Sequence, residues 1–97
     1  MSVLLRVLLV DDQPLVRAGL QRILSPADGF AIAGECSDGA AALEALAAPG
    51  AQVDVVCMDV SMPVMDGLSA AGALRAARSD VRIILFTSEP KPHPVVA

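Results

Sequence analysis

Three aspartates and a threonine in this chain each follow an apolar run. Residues 7–10 lead into Asp11 and Asp12, residues 55–58 lead into Asp59, and residues 83–86 lead into Thr87. Continuous apolar runs of this length are typical of strands that are buried on both faces of a parallel sheet. Ligands of such sheets bind beyond the carboxyl ends of the strands. We therefore expect the four side chains to meet at one rim of a sheet.

A cluster of this composition predicts a metal site and a nucleophile. Carboxylates that lie close together repel one another unless a cation neutralises them, and an all-oxygen ligand set favours Mg²⁺. Asp59 would lie on the central strand, between the strands that carry Asp12 and Thr87. With its neighbours' charge neutralised, Asp59 could attack a phosphoryl group and form an acyl phosphate. The Thr87 hydroxyl could then hydrogen-bond an equatorial phosphoryl oxygen.

The elements that must position these residues alternate along the chain. The apolar spacing predicts strands at 4–10, 30–36, 53–59 and 81–87. It predicts helices between them, the first from Pro14 to the Ser25-Pro26 pair, the second stopped by Pro49-Gly50 and the third at about 67–78. The predicted N-caps are Asp12 or Gln13, then Ser37 or Asp38, then Asp66. The order is (βα)₃β, an α/β fold with a parallel sheet and helices on both faces.

Length and composition restrict the possible partners. Ninety-seven residues make one small domain, and 55% of them are hydrophobic with two aromatics. The net charge of −4 argues against direct nucleic-acid binding, and Arg17 and Arg22 look like parts of a solvated helix face. Cys36 and Cys57 look like small buried residues of a reducing compartment. Because neither a signal peptide nor a membrane span is recognisable, we expect a cytoplasmic protein.

The motifs resemble the receiver domain of two-component response regulators. The quoted segments are Leu9-Val-Asp-Asp-Gln-Pro-Leu-Val-Arg-Ala-Gly-Leu20, Asp59 followed by Met62-Pro-Val-Met-Asp-Gly67, and Leu85-Phe-Thr-Ser88. The first segment is most similar to the subfamily whose receivers precede a helix-turn-helix DNA-binding domain. The resemblance covers residues 4–88 and implies a flavodoxin-like (CheY-like) fold.

The same resemblance implies a role for each matching residue. Asp59 would be the phosphoacceptor, taking its phosphoryl group from a sensor histidine kinase in the context of transcription regulation. Asp12, Asp59 and the backbone carbonyl of Ser61 would bind Mg²⁺ directly, and Asp11 would help through water. Thr87 would be the switch hydroxyl. Pro63 and Gly67 would shape the loop that follows the acceptor.

The chain departs from the family after the fourth strand. Family members continue with a helix, a strand ending in a lysine, and a last helix, whereas here residues 89–97 form a proline-rich tail. The single lysine, Lys91, does not match the family position, so it receives no role. We expect a receiver domain over residues 1–88, with an exposed apolar edge at residues 81–87. Such an edge predicts a dimer or higher oligomer, joined through this edge or through the tail.

Two other functions compete with this interpretation. The first is a receiver that no longer switches and acts as a dimerisation or interaction module. The second is a Mg²⁺-dependent phosphatase of the haloacid dehalogenase type, which also uses a strand-end aspartate. Those enzymes carry a second acid two residues later, where this chain has Ser61. The leading expectation is therefore a signalling module and not an enzyme.

Overall fold

A computed structural model describes residues 4–59, 72–76, 78 and 80–86. Strands and helices alternate along these residues as the sequence predicts, with ends that differ by one or two positions. A short 3₁₀ helix at Pro26–Asp28 follows the first helix, and residues 72–76 are helical. The elements are β1 (Leu5–Val10), α1 (Pro14–Ile23), β2 (Phe30–Cys36), α2 (Gly39–Ala47), β3 (Val55–Asp59) and β4 (Arg82–Phe86).

The four strands form one parallel sheet in the order β2-β1-β3-β4. β1 pairs with β3 so that Val10 lies opposite Met58, and β3 pairs with β4 so that Asp59 lies opposite Phe86. The strand that ends in Asp59 therefore lies between β1 and β4. This is the arrangement that the sequence predicts for the central strand.

Alternate residues of the strands build a core on each face of the sheet. On one face, Leu8, Val10, Val56 and Met58 pack with residues of α2 and with Leu74. On the other face, the buried residues are Val7, Leu9 and Val55, and side chains of α1 pack against them. Burial on both faces is the reason why these strands are continuous apolar runs.

The two helices begin in different ways. Asp38 is the N-cap of α2, because its carboxylate accepts the backbone N–H of Ala41 at 2.8 Å. The alternative cap Ser37 is not used. At α1 the N-cap residue is Gln13, one of the two predicted, but its side chain makes no capping hydrogen bond. Pro14 starts that helix, as expected of a residue whose fixed backbone suits the first turn.

Both cysteines are free thiols. Cys36 is buried, as predicted, whereas Cys57 is only half-buried. Burial is the main cause that raises the pKa of each thiol, so both stay protonated at neutral pH. Within the residues that the structure describes, no helix has the length and apolar character needed to cross a membrane.

Candidate metal centre

Three carboxylates meet where β1 and β3 end. Asp11 continues the sheet for one more residue, since its backbone N–H donates to the carbonyl of Cys36 at 3.0 Å. Asp59 is the last residue of β3, the strand beside β1. A carboxylate oxygen from each of Asp11, Asp12 and Asp59 lies within 4.8 Å of the other two. The structure thus brings together the three acidic residues of the predicted site.

The cluster is buried at its base and open at one side. Asp11 is fully buried and Asp59 is 2% exposed, whereas Asp12 is exposed to solvent. Asp11 Oδ1 accepts the backbone N–H of Gln13 at 2.8 Å, but no donor among the described residues reaches its Oδ2. A buried carboxylate oxygen without a donor is costly. The site therefore contains an acceptor that a ligand from the open side could satisfy.

The electrostatics of Asp11 indicate the kind of ligand. Burial raises the pKa of this carboxyl above its usual range, and the nearby carboxylates of Asp59 and Asp12 raise it further. The backbone N–H of Gln13 opposes this shift without cancelling it. A bound cation would offset both causes of the raised pKa, the burial of Asp11 and the charges of the neighbouring carboxylates. A donor set made of carboxylate oxygens fits Mg²⁺, which takes hard oxygen ligands and keeps several of its waters.

Arg17 reaches this cluster although the sequence suggested a solvated position. Its side chain is 17% exposed, and its Nε lies 3.0 Å from Glu35 Oε1 on β2. Its Nη1 donates to the backbone carbonyl of Asp11. One signal in the sequence could have indicated this, because Arg17 lies three and seven residues before Leu20 and Leu24, which pack on the core. Arg17 therefore shares the inward face of α1.

Several predicted site residues lie outside the residues that the structure describes. These are Ser61, whose carbonyl was predicted to bind the metal, Thr87, and the loop residues Pro63, Asp66 and Gly67. The tail at 89–97 with Lys91 and the start of the third helix also lie outside them. Thr87 follows Phe86 in the chain, and Phe86 is the Cα partner of Asp59. The roles of Ser61 and Thr87 stay predictions.

Comparison with known proteins agrees with this geometry. Residues 7–97 match the family described as the response regulator receiver domain. The chain belongs to this family. It is 45% identical over 84 residues to the response regulator UvrY of Escherichia coli O6:H1, an alignment that covers 87% of this chain and 38% of UvrY. The predicted family is confirmed, as is the similarity to regulators whose receivers precede a helix-turn-helix domain.

Solved structures show the same architecture. The signal receiver domain of NarL from Mycobacterium tuberculosis is 38% identical with a TM-score of 0.78, and the match covers 93% of this receiver and 71% of that chain. The CheX–CheY complex with BeF₃⁻ and Mg²⁺ from Borrelia burgdorferi is 27% identical, with a TM-score of 0.79 and coverage of 93% and 66%. The CheY-like fold is therefore confirmed. This receiver spans about two fifths of the length of its curated relatives.

Proposed function

We propose that Asp59 is the phosphoacceptor of this receiver and takes its phosphoryl group from a sensor histidine kinase. One observation carries the proposal: buried Asp59 shares a cluster with Asp11 and Asp12, in which an oxygen of Asp11 has no donor among the described residues. Asp12, Asp59 and the Ser61 carbonyl would hold Mg²⁺ directly, and Asp11 would hold one of its waters. When bound, the ion supplies positive charge that offsets the carboxylates and the incoming phosphoryl oxygens.

The chain's own residues determine which oxygen reacts. A carboxylate oxygen of Asp59 attacks phosphorus, the phosphorus–nitrogen bond of the kinase phosphohistidine breaks, and the electron pair returns to the imidazole. Asp59 is held at the end of the central strand by neighbours on both sides, so its position is fixed before the donor arrives. Thr87 would donate its hydroxyl to the phosphoryl group.

The proposed module is cytoplasmic and serves transcription regulation without catalytic turnover of its own. The net charge of −4 supports a receiver that does not itself bind DNA. The similarity to UvrY supports the regulatory context. The partner of this site would be the phosphohistidine region of a kinase, since a carboxylate nucleophile needs an activated phosphoryl donor.

Self-association through β4 is a second proposal. β4 is last in the strand order of the described sheet, and the Ile84 side chain is 52% exposed. A sheet edge with an exposed apolar residue favours pairing with a second copy of this chain. Light scattering should detect a dimer at micromolar concentration and a monomer for Ile84→Lys. A monomeric wild-type protein would refute this second proposal.

Phosphorylation of the intact protein tests the main proposal. The chain is incubated with Mg²⁺ and acetyl phosphate or phosphoramidate, and its intact mass is measured. We expect a mass gain of one phosphoryl group, which Asp59→Asn abolishes. Asp54→Asn is the matched control, because Asp54 lies just before β3, at the strand end opposite Asp59, where its carboxylate accepts the N–H of Arg6 at 2.8 Å. That variant should label like wild type.

The same assay separates the alternatives. Absence of an adduct with either donor, in a folded protein, would contradict phosphoacceptance and favour the interaction module. Steady hydrolysis of a phosphomonoester that Asp59→Asn abolishes would favour the phosphatase.

A further inference from the structure

We propose that Arg17 is a positioning residue of the metal centre. Its hydrogen bond to the backbone carbonyl of Asp11 sets the affinity for Mg²⁺. The proposal rests on the proposed function, because it concerns the same carboxylate cluster. It adds a residue of α1 that the motif comparison left without a role.

Arg17 joins three elements at the rim of the sheet. From α1, its Nη1 donates to the carbonyl of Asp11 beyond the end of β1, and its Nε donates to Glu35 on β2 at 3.0 Å. The other carboxylate oxygen of Glu35 accepts a hydrogen bond from the side-chain amide of Gln21, one turn further along α1. The guanidinium group is thus held on both sides.

The carbonyl that Arg17 holds determines where Asp12 lies. A peptide unit is planar, so the carbonyl of Asp11 and the Cα of Asp12 lie in one plane, and fixing the first orients the second. The same segment is held again by the bond from the Gln13 N–H to Asp11 Oδ1. Because Asp12 is exposed, its carboxylate has less packing around it than those of Asp11 and Asp59. Its alignment therefore depends on the backbone that Arg17 fixes.

A positional role and a purely electrostatic role predict opposite results. The positive charge of Arg17 near a cation site would weaken Mg²⁺ binding, so its removal on electrostatic grounds alone would strengthen binding. If Arg17 positions the ligands, its removal weakens binding despite the loss of that charge. The Glu35 partner is 39% exposed, so the ion pair itself contributes little to stability.

The test measures Mg²⁺ affinity by calorimetry for the full chain and its variants. Arg17→Met should lower the affinity about tenfold or more, the range typical of residues that orient metal ligands. Arg17→Lys keeps the charge but loses the planar guanidinium group that donates to two acceptors at once. This variant should therefore also bind Mg²⁺ more weakly than wild type. Arg22→Met is the matched control, since it removes the same charge from an exposed position of α1.

Amide hydrogen exchange without Mg²⁺ supplies a second measurement. The backbone amides of Asp12 and Gln13 should exchange faster in Arg17→Met than in wild type. Their exchange rates should not change in Arg22→Met. If Arg17→Met does not fold, Arg17→Lys and Glu35→Gln, which keeps the acceptor oxygen and removes its charge, carry the test. Mg²⁺ affinity in Arg17→Met equal to or above that of Arg22→Met would overturn the positioning role while leaving the proposed function intact. A wild-type protein that binds no Mg²⁺ would overturn both.

Discussion

Replacing Asp11 with Asn should stabilise the metal-free protein while weakening its response to Mg²⁺. Asp11 is fully buried, and its carboxylate lies within 4.8 Å of those of Asp12 and Asp59. Two unit charges at 4.8 Å repel by about 3.5 kcal/mol at an effective dielectric constant of about 20, and by about 0.9 kcal/mol in bulk water. The cluster is open on the side of Asp12, so the gain should fall between these limits, at about 1–3 kcal/mol.

The substitution preserves the local hydrogen bonding. Asn keeps an oxygen that can accept the backbone N–H of Gln13, a bond of 2.8 Å in wild type. Its amide group places a donor where Oδ2, the buried acceptor without a donor, stood, in a cluster whose other two members are carboxylates. The new side chain therefore satisfies the site that the original leaves unsatisfied.

Urea unfolding followed by circular dichroism is the assay, because the chain has neither Trp nor Tyr for fluorescence. In EDTA, Asp11→Asn should be more stable than wild type. Adding Mg²⁺ to about ten times the wild-type Kd should raise the stability of wild type by about 1.4 kcal/mol and that of the variant by about 0.4 kcal/mol or less. Glu44→Gln is the control: it removes one negative charge from an exposed position of α2 and should alter neither value.

Two results would refute this reasoning. If Asp11→Asn is less stable than wild type in EDTA, carboxylate repulsion does not dominate at this site. If the variant gains as much stability from Mg²⁺ as wild type does, Asp11 takes no part in holding the ion.

Three further substitutions test the fold. Asp38→Ala removes the N-cap of α2 and should cost about 1 kcal/mol of unfolding free energy, whereas Ser37→Ala should cost much less. Leu46 is only 2% exposed, so Leu46→Ala leaves a cavity in the core and should cost about 2–5 kcal/mol of unfolding free energy in urea. The Arg78 guanidinium holds the pKa of Asp80 at about 2, below its ordinary value of 3.8, so Arg78→Met should return that pKa towards 3.8 in an NMR titration. In wild type this ion pair stabilises the fold above pH 3.8, and its contribution disappears as the pH falls through about 2. An unchanged Asp80 pKa in Arg78→Met would contradict the pairing.

The strands and the acidic cluster were predictable because both follow from local pattern. A run such as residues 55–58 is apolar at every position, so it belongs inside a sheet covered on both faces, and the residue after it must lie at the rim. Parallel strand ends meet at one edge, which brings Asp59 towards Asp11 without any further information. The cap at Asp38 is equally local, since it depends on a side chain and a backbone group three residues apart.

The role of Arg17 could not be predicted in this way because its partner Glu35 is distant in the sequence. Glu35 lies 18 residues away and reaches Arg17 only after α1 has packed over the sheet. Helical spacing places Arg17 on the inward face of α1, but only tertiary packing gives it Glu35 as a partner. The start of α1 is a local feature instead: the carboxylate of Asp11 accepts the Gln13 N–H two residues on, and no side chain at the N-cap position does so.

The position of the cluster explains how the fold tolerates carboxylates whose mutual repulsion destabilises it. Asp11 and Asp59 extend β1 and β3, whose residues Leu9, Val10 and Met58 are completely buried. The packing of these strands stabilises the fold by more than the repulsion between the carboxylates costs. It also prevents the two carboxylates from separating, because a densely packed interior leaves little room for movement. Repulsion that cannot be relieved by movement can be relieved by binding a cation. The same rigidity that keeps the carboxylates close together therefore supports the proposal of a cation ligand at this site.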